Sequence, residues 1–189
     1  MPPVYTDLRR KLRFFWYRAD KEAWIFALIV GVIITTLILA LQAVIGQKEA
    51  RRQAAREAHE QSLACLARNV YYEARGEPTA GQLAVAEVTM NRKASKRYPG
   101  TVCEVVYQKN WDPIRKRYVG AFSWTEFDTL PEPDGEEWER ALKIAEAVYY
   151  RREPPALKGA MYYHADYIQP SWAKEKKQVA RIGRHIFYR

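Results

Sequence analysis

Residues 24–45 form an unbroken stretch of twenty-two residues without a charged side chain. A helix needs about 20 apolar residues to cross the hydrocarbon core of a bilayer, so the sequence predicts one transmembrane helix at residues 24–46. A buried helix of a globular core would not be hydrophobic on all faces over this length. A cleaved signal peptide has a shorter apolar region, of ~7–15 residues, and a small-residue cleavage site that residues 41–43 match poorly. The stretch therefore favours a retained anchor in a lipid bilayer.

The charges beside this stretch predict its orientation. Six Lys or Arg residues precede it, and four follow it between positions 48 and 56. The excess on the N-terminal side places the N-terminus in the cytoplasm, and we expect a single-pass protein of the bacterial inner membrane. The predicted parts are a cytoplasmic basic arm (1–23), the transmembrane helix (24–46), a helical spacer (47–62) and an extracytoplasmic, or periplasmic, domain (63–189).

The globular part begins with a predicted helix. Leu63, Leu66, Val70 and Ala74 recur at helical spacing, and Gly76 is a typical residue after a helix C-terminus. We therefore expect this helix to run out of the spacer to about Arg75.

Further helices are predicted from start signals. A second helix is expected at residues 79–93, after a proline. Thr101 with Glu104 has the spacing of a capping box for a short third helix, and Asp134 with Glu137 has it for a fourth.

The remaining segments predict the fold class. Residues 109–133 are rich in turn formers, and a loop of that length is more often functional than idle. Residues 160–163 and 182–188 are predicted to be strands of a small sheet. The sequence thus predicts an α+β, mainly helical domain with a small C-terminal sheet, preceded by one transmembrane helix.

Glu73 is the candidate catalytic acid. It lies in the last turn of the first predicted helix, shortly before Gly76 and beside Tyr71 and Tyr72. Aromatic neighbours that shield a carboxyl from water raise its pKa, which keeps it protonated for general acid catalysis near neutral pH. Cleavage of a glycosidic bond needs a group of this kind. On this segment alone, an ordinary exposed glutamate is the alternative.

Nine different short motifs follow one another between residues 73 and 188. They are Glu-Ala-Arg-Gly-Glu at 73–77, Gly-Gln-Leu-Ala-Val-Ala-Glu-Val at 81–88, Met-Asn-Arg at 90–92, Tyr-Pro at 98–99, Val-Cys-Glu-Val-Val at 102–106, Phe-Ser-Trp at 122–124, Ala-Met-Tyr-Tyr-His at 160–164, Pro-Ser-Trp at 170–172 and Ile-Gly-Arg-His-Ile-Phe-Tyr at 182–188. In this order they resemble the cell-wall hydrolase family of the SleB/CwlJ type, named for spore-cortex-lytic enzymes. The similarity spans roughly residues 62–189.

The resemblance implies a lysozyme-like fold and cleavage of peptidoglycan glycan strands at the MurNAc–GlcNAc bond. It favours a lytic transglycosylase route in which Glu73 is the single acid and base. In that route the sugar's own C6 hydroxyl attacks C1 and leaves a 1,6-anhydro end. The route needs no cofactor, and the spacing of the histidines matches no metal site.

Two cysteines lie in the predicted outer domain. An even pair in an oxidising compartment favours a disulfide, although two buried thiols are the alternative. The resemblance implies that Cys65 and Cys103 pair.

Further residues are candidates for binding the substrate. Glu77 falls in a turn that we expect to be wetter than the site of Glu73, so it is ranked as a cleft residue. The amides are candidates for hydrogen bonds to N-acetyl groups and the aromatic residues for stacking on sugars, with packing as the alternative. The predicted substrate-binding residues are Glu77, Gln82, Asn91, Ser123, Trp124, Tyr163 and His164.

Two rival functions stay open on the sequence. One is a muramidase-type hydrolase in which a second carboxylate, such as Glu77, Glu87 or Asp128, activates water. The other is a non-catalytic glycan-binding protein of envelope assembly. A nucleic-acid partner is not expected, because the basic residues behind the net charge of +9 are dispersed.

Overall fold

The computed structural model describes Arg10, Lys11, Arg13, Phe14 and residues 20–113, 115–152, 154–157 and 159–189. The chain divides into two compact units, Met1–Ala55 and Arg56–Arg189. Most of the predicted basic arm at 1–23 lies outside the described residues.

One long helix, α1, spans Lys21–Ala74. It contains the whole apolar stretch, whose side chains are exposed, and it is long and apolar enough to cross a membrane by length and composition. Near its C-terminal end, Leu66, Val70 and Ala74 are buried, as their helical spacing predicts. The predicted end near Arg75 is confirmed to within one residue.

Three shorter helices follow: α2 (Thr79–Ala94), α3 (Val102–Val106) and α4 (Gly135–Tyr149). The capping box of Thr101 and Glu104 is confirmed at the start of α3. The second predicted capping box is wrong, because the side chain of Asp134 makes no capping hydrogen bond. The residue after it, Gly135, has φ +68°, a left-handed conformation that a regular first turn does not contain.

The expected long loop at 109–133 contains regular structure. Strands β1 (Lys109–Asp112) and β2 (Arg117–Gly120) form an antiparallel hairpin, and a 3₁₀ helix follows at Ser123–Glu126. The prediction of a loop was therefore wrong over these segments. Both strands are short and largely exposed, so they lack the apolar alternation by which a half-buried strand is recognised.

The C-terminal sheet has three antiparallel strands in the order β3–β5–β4. They are β3 (Tyr162–Ala165), β4 (Gln178–Ile182) and β5 (His185–Tyr188), with a second 3₁₀ helix, Ser171–Glu175, between β3 and β4. The central strand β5 is the most buried. The predicted small sheet is confirmed, and so is the mainly helical α+β class. The strand predicted at 182–188 was wrong in its bounds, because it covers the end of β4, a turn and β5, and β4 itself was not predicted.

Two groups of buried residues hold Arg56–Arg189 together. One joins the end of α1 to α2, α3 and α4, and Cys65 and Cys103 pair beside it with their Cα atoms 5.3 Å apart. A bridge across a sequence separation of 38 stabilises the fold by about 3–4 kcal/mol in the chain-entropy model. The other group packs the sheet, through Phe187, against Ala74 of α1 and Val85 of α2. The last turn of α1 therefore lies between the helices and the sheet.

Candidate functional site

Glu73, in the last turn of α1, accepts hydrogen bonds from two distant parts of the fold. The Tyr163 hydroxyl, on β3, donates to Oε2 at 2.9 Å, and the Ser123 hydroxyl, at the start of the first 3₁₀ helix, donates to Oε1 at 3.4 Å. These partners are 90 and 50 residues away in the chain. The fold thus brings three of the predicted site residues together.

The environment of Glu73 favours its protonated form. Burial raises the pKa of this carboxyl, while the Tyr163 and Ser123 hydroxyls and the main-chain amides of Ser123 and Trp124 act to lower it. Burial is the largest of these effects, so the pKa stays above its ordinary value. A carboxyl that is protonated nearer to neutral pH, and still hydrogen-bonded, has the properties of a general acid.

Tyr163 is held by the sheet. It pairs with Phe187 across β3 and β5, and its ring contacts those of Phe187 and His185. Burial and the neighbouring Glu73 raise the pKa of the Tyr163 hydroxyl well above its ordinary value. The phenol therefore stays neutral and remains a hydrogen-bond donor to Glu73.

Trp124, the residue after Ser123, is buried against α1. Its indole is 8% exposed, stacks on Tyr72 at 4.7 Å between ring centroids, and donates from Nε1 to Asn69 Oδ1 at 2.9 Å. Asn69 is fully buried in α1 and also donates from Nδ2 to Thr89 Oγ1. Trp124 thus has a packing role here, and its predicted contact with substrate stays a prediction.

Sequence reasoning missed Asn69. Its signal was a polar residue on the apolar face of α1, between the buried Leu66 and Val70. A buried amide needs partners for both its donor and its acceptor, and Trp124 and Thr89 supply them.

Glu77 is buried, which corrects the expectation of a wetter turn. Its side chain is 4% exposed, and the Arg184 guanidinium donates to Oε1 at 3.1 Å while the Arg184 main-chain N–H donates to Oε2 at 2.9 Å. Burial acts to raise the pKa of Glu77, but the hydrogen bonds from Arg184 and the charges of His185 and Arg184 outweigh it and lower the pKa.

Gly183 permits this close contact. It has φ +57°, and a Cβ atom there would lie 2.0 Å from Oε2 of Glu77. The turn between β4 and β5 is therefore fixed against the turn between α1 and α2, close in sequence to Glu73.

The other predicted binding residues have partners within the fold. Gln82 is buried and donates to the Glu77 carbonyl at 3.0 Å, and Asn91 donates to the Ala160 carbonyl at 3.0 Å. His164 Nε2 lies 2.9 Å from the Tyr188 hydroxyl, on the edge of the sheet. Their predicted roles in substrate binding stay predictions.

Glu87, one candidate for a second catalytic carboxylate, serves another purpose. Its two oxygens accept the main-chain N–H groups of Ala156 and Leu157, each at 2.9 Å. Asp128 is exposed in the segment after the first 3₁₀ helix. Within the described ranges, no three His, Cys, Asp or Glu side chains cluster as metal ligands would.

The described residues thus form a mainly helical α+β domain with a half-buried, hydrogen-bonded glutamate at the end of its first helix. Comparisons with known proteins give the family of this domain. The model of the Cell Wall Hydrolase family matches residues 76–188, so the chain belongs to this family. The match begins three residues after Glu73, but both hydroxyls that donate to Glu73 lie within it.

Curated relatives cover the same part of the chain. The spore cortex-lytic enzyme of Oceanobacillus iheyensis is 34% identical over 125 residues, which are 65% of this chain and 39% of that protein. The spore cortex-lytic enzyme of Bacillus subtilis is 32% identical over 125 residues, 65% of this chain and 35% of that protein. The chain thus spans less than half the length of these curated relatives.

A solved structure has the same fold. The catalytic domain of the germination-specific lytic transglycosylase SleB from Bacillus anthracis is 28% identical, with a TM-score of 0.50. The similarity covers 68% of this chain and 93% of that domain. The chain therefore contains a nearly complete counterpart of that domain.

Proposed function

We propose that this protein is a membrane-anchored peptidoglycan lytic transglycosylase in which Glu73 is both the general acid and the general base. The observation that carries the proposal is the Glu73 carboxyl itself, half-buried, with a raised pKa and two neutral hydroxyl donors. Family membership and the likeness to a lytic transglycosylase domain supply the reaction class.

In the first step the protonated Glu73 donates its proton to the glycosidic oxygen between N-acetylmuramic acid and N-acetylglucosamine. The bond between that oxygen and C1 of the muramic acid breaks, and positive charge develops at C1. The Tyr163 and Ser123 hydroxyls then stabilise the carboxylate that remains, because hydrogen bonds to an ionised acceptor are the stronger ones.

In the second step the Glu73 carboxylate removes the proton of the C6 hydroxyl of the same sugar. That oxygen attacks C1 and closes a 1,6-anhydro ring, so no water is consumed and Glu73 regains its proton. One carboxyl with a raised pKa is sufficient for both steps.

The surroundings of Glu77 and Glu87, two of the three candidates for a second carboxylate, favour this route over hydrolysis. A hydrolase needs a second carboxylate that acts as nucleophile or activates water. Glu77 is engaged by Arg184, and Glu87 is engaged by two main-chain N–H groups. To activate water or act as a nucleophile, either carboxylate would first have to give up these hydrogen bonds.

The proposal includes the anchor and the organisation of the chain. Residues 24–46 would cross the inner membrane, residues 47–62 would act as a spacer, and residues 63–189 would act on glycan strands outside the cytoplasm. The support is the apolar, exposed part of α1 and the excess of basic residues before it. Tethering would confine cleavage to strands near the membrane.

Release of soluble fragments from purified peptidoglycan tests the activity. The full chain in detergent should release them, and Glu73→Gln should not. Glu139→Gln, an exposed glutamate on α4, is the matched control and should leave release unchanged. Equal release by the unaltered chain and Glu73→Gln would overturn the role of Glu73.

The anchor is tested separately. In cells, the full chain should stay in the membrane fraction after alkaline extraction, and its C-terminal domain should be degraded by protease added outside the inner membrane. Recovery in the soluble fraction, or protection of that domain from the protease, would contradict the proposed topology.

A further inference from the structure

Two large aromatic side chains project from the hairpin of β1 and β2. Trp111 and Tyr118 face each other across the strands, with their ring centroids 5.4 Å apart and their planes at 71°. Trp111 is 55% exposed and Tyr118 is 64% exposed. Cross-strand aromatic pairs stabilise hairpins, and the exposure of these two rings also leaves their faces accessible to a ligand. We call these two residues the aromatic pair.

The base of the hairpin is hydrogen-bonded to the first 3₁₀ helix, which also supplies Ser123 to the Glu73 site. Glu126, in the first 3₁₀ helix, accepts the Gly120 N–H at 3.0 Å and the Arg117 guanidinium at 2.8 Å. The same 3₁₀ helix begins with Ser123, whose hydroxyl donates to Glu73. The hairpin and the candidate acid are thus linked through one short, hydrogen-bonded element.

Gly120 makes that link tight. A Cβ atom at this position would lie 2.2 Å from Thr125 Oγ1 and 2.9 Å from the Phe122 carbonyl oxygen, so β2 approaches the 3₁₀ helix more closely than another residue allows. The Ala121 N–H donates to the Gln108 carbonyl at 2.7 Å and closes the base of the hairpin. The position of the hairpin against the 3₁₀ helix is therefore defined by backbone contacts.

The hairpin also carries positive charge. Residues 109–120 contain four basic side chains and one acidic side chain, for a net charge of +3. Arg115 pairs with that acid, Asp112, at 3.7 Å. Exposed aromatic rings beside an excess of cations suit a ligand with flat apolar faces and anionic substituents. A glycan strand whose sugars bear lactyl and peptide carboxylates has both.

We propose that the aromatic pair is a subsite for the glycan strand, at which sugar rings beyond the cleaved bond stack on Trp111 and Tyr118. This inference rests on the proposed function, since it extends the same binding site along the strand. It assigns substrate recognition to two residues that do not themselves contact Glu73, in addition to those that do.

Aromatic and basic residues together are also typical of surfaces that contact a membrane interface. The hydrogen-bonded connection through Glu126 to the element that contacts Glu73 favours the glycan. Contact with anionic lipid headgroups is therefore the competing outcome in the experiment below.

Binding is measured on the full chain in detergent with Glu73→Gln, so that strands are bound and not cut. Trp111→Leu and Tyr118→Leu keep apolar bulk at the cross-strand position and remove the flat ring. Each should weaken binding to long glycan strands by about tenfold, the usual effect of truncating an aromatic anchor. Tyr167→Leu is the matched control, because Tyr167 is 77% exposed on the segment after β3, and it should bind as before.

Thermal unfolding of each variant separates loss of the ring from loss of the hairpin. Should Trp111→Leu unfold early, Trp111→Phe, which keeps a flat ring, should restore both stability and binding. Unchanged affinity in both leucine variants, or an equal loss in Tyr167→Leu, would overturn the proposal.

Two further measurements separate this proposal from its rivals. With Glu73 present, the leucine variants should cleave short glycan fragments at the unaltered rate and long strands more slowly. If the unaltered chain binds strands through the aromatic pair but cleaves none, the proposed function fails and the subsite stands. Hydrogen exchange at β1 and β2 should slow with glycan strands; slowing only in nanodiscs with phosphatidylglycerol would overturn the glycan in favour of a membrane surface.

Discussion

Glu73 and Glu77 lie on either side of Gly76, one in the last turn of α1 and the other in the turn before α2, and their surroundings act on them in opposite directions. Neutral hydroxyls contact Glu73, and burial raises its pKa. A guanidinium and a main-chain N–H contact Glu77, and its pKa is lowered. Two carboxyls four residues apart thus have pKa values shifted in opposite directions.

The difference shows that neighbouring carboxyls can serve different purposes. One holds two segments of the fold together, and the other has the raised pKa of the proposed general acid. An ionised carboxylate at Glu77 holds the β4–β5 turn against the turn between α1 and α2. Burial at Glu73 raises the pKa of the carboxyl and so favours its protonated form, which is the form that the proposed general acid needs. Desolvation acts to raise the pKa of both carboxyls, so the opposite direction of the Glu77 shift comes from the hydrogen bonds and charges of its partners.

The largest expected effect is on the rate of cleavage by Glu73→Gln, which should fall by about 10³-fold because the general acid is lost. Stability should not fall with it. A raised folded-state pKa means that the folded chain binds the proton more tightly than the unfolded chain, so this group loses stability as pH rises through the two pKa values. Glutamine removes that loss, and urea unfolding at pH 7 should show equal or higher stability.

Glu77→Gln should have the converse effect and destabilise the fold by about 2 kcal/mol, since charged hydrogen bonds are replaced by weaker ones. A lowered folded-state pKa gives stability that is present above the unfolded pKa and is lost as pH falls through the folded pKa. In urea unfolding, the difference from the unaltered chain should therefore shrink at acid pH. A difference that is independent of pH would contradict the role of its charge.

Arg184→Ala is the matched variant for Glu77. It removes the guanidinium and leaves the main-chain N–H bond to Oε2 in place. Unfolding should therefore show a smaller loss of stability than Glu77→Gln does. An equal or larger loss would place the main stabilisation on the side chain of Arg184.

Tyr163→Phe should lower the cleavage rate by about tenfold, the equivalent of one hydrogen bond of about 1.4 kcal/mol. The Tyr163 hydroxyl acts to lower the pKa of Glu73, so its loss should raise that pKa further. The fall of kcat/KM with rising pH should then move to higher pH. A profile that moves to lower pH would contradict the geometry.

Ser123→Ala should act in the same direction with a smaller effect, about two- to threefold on the rate, because its hydrogen bond of 3.4 Å is longer and weaker. The control is Ser171→Ala, at the start of the second 3₁₀ helix, which should leave the rate unchanged. Equal effects of the two alanines would contradict the contact with Glu73.

The sequence predicted the elements whose signals are local. The apolar spacing of Leu66, Val70 and Ala74 predicted the buried face at the end of α1, and Thr101 with Glu104 predicted the start of α3. The β1–β2 hairpin was missed because its short, exposed strands carry no apolar alternation.

The candidate site depended on contacts that local patterns do not encode. Ser123 and Tyr163 were predicted to bind substrate, but their hydrogen bonds to Glu73 join positions 50 and 90 residues apart. The burial of Glu77 likewise follows from Arg184, 107 residues away. Glu73 and Glu77 were recognisable as candidates in the sequence, whereas the partners of each carboxyl needed the tertiary structure.

The chemical structure of the released sugar ends tests most directly whether the protein is a lytic transglycosylase that uses Glu73. Mass spectrometry of the fragments released from purified peptidoglycan by the full chain in detergent, beside folded Glu73→Gln, distinguishes the two reactions. We expect 1,6-anhydro-muramyl ends that only the unaltered chain produces. Reducing muramyl ends, which carry the mass of one added water, would contradict it and show that a second group activates water for hydrolysis.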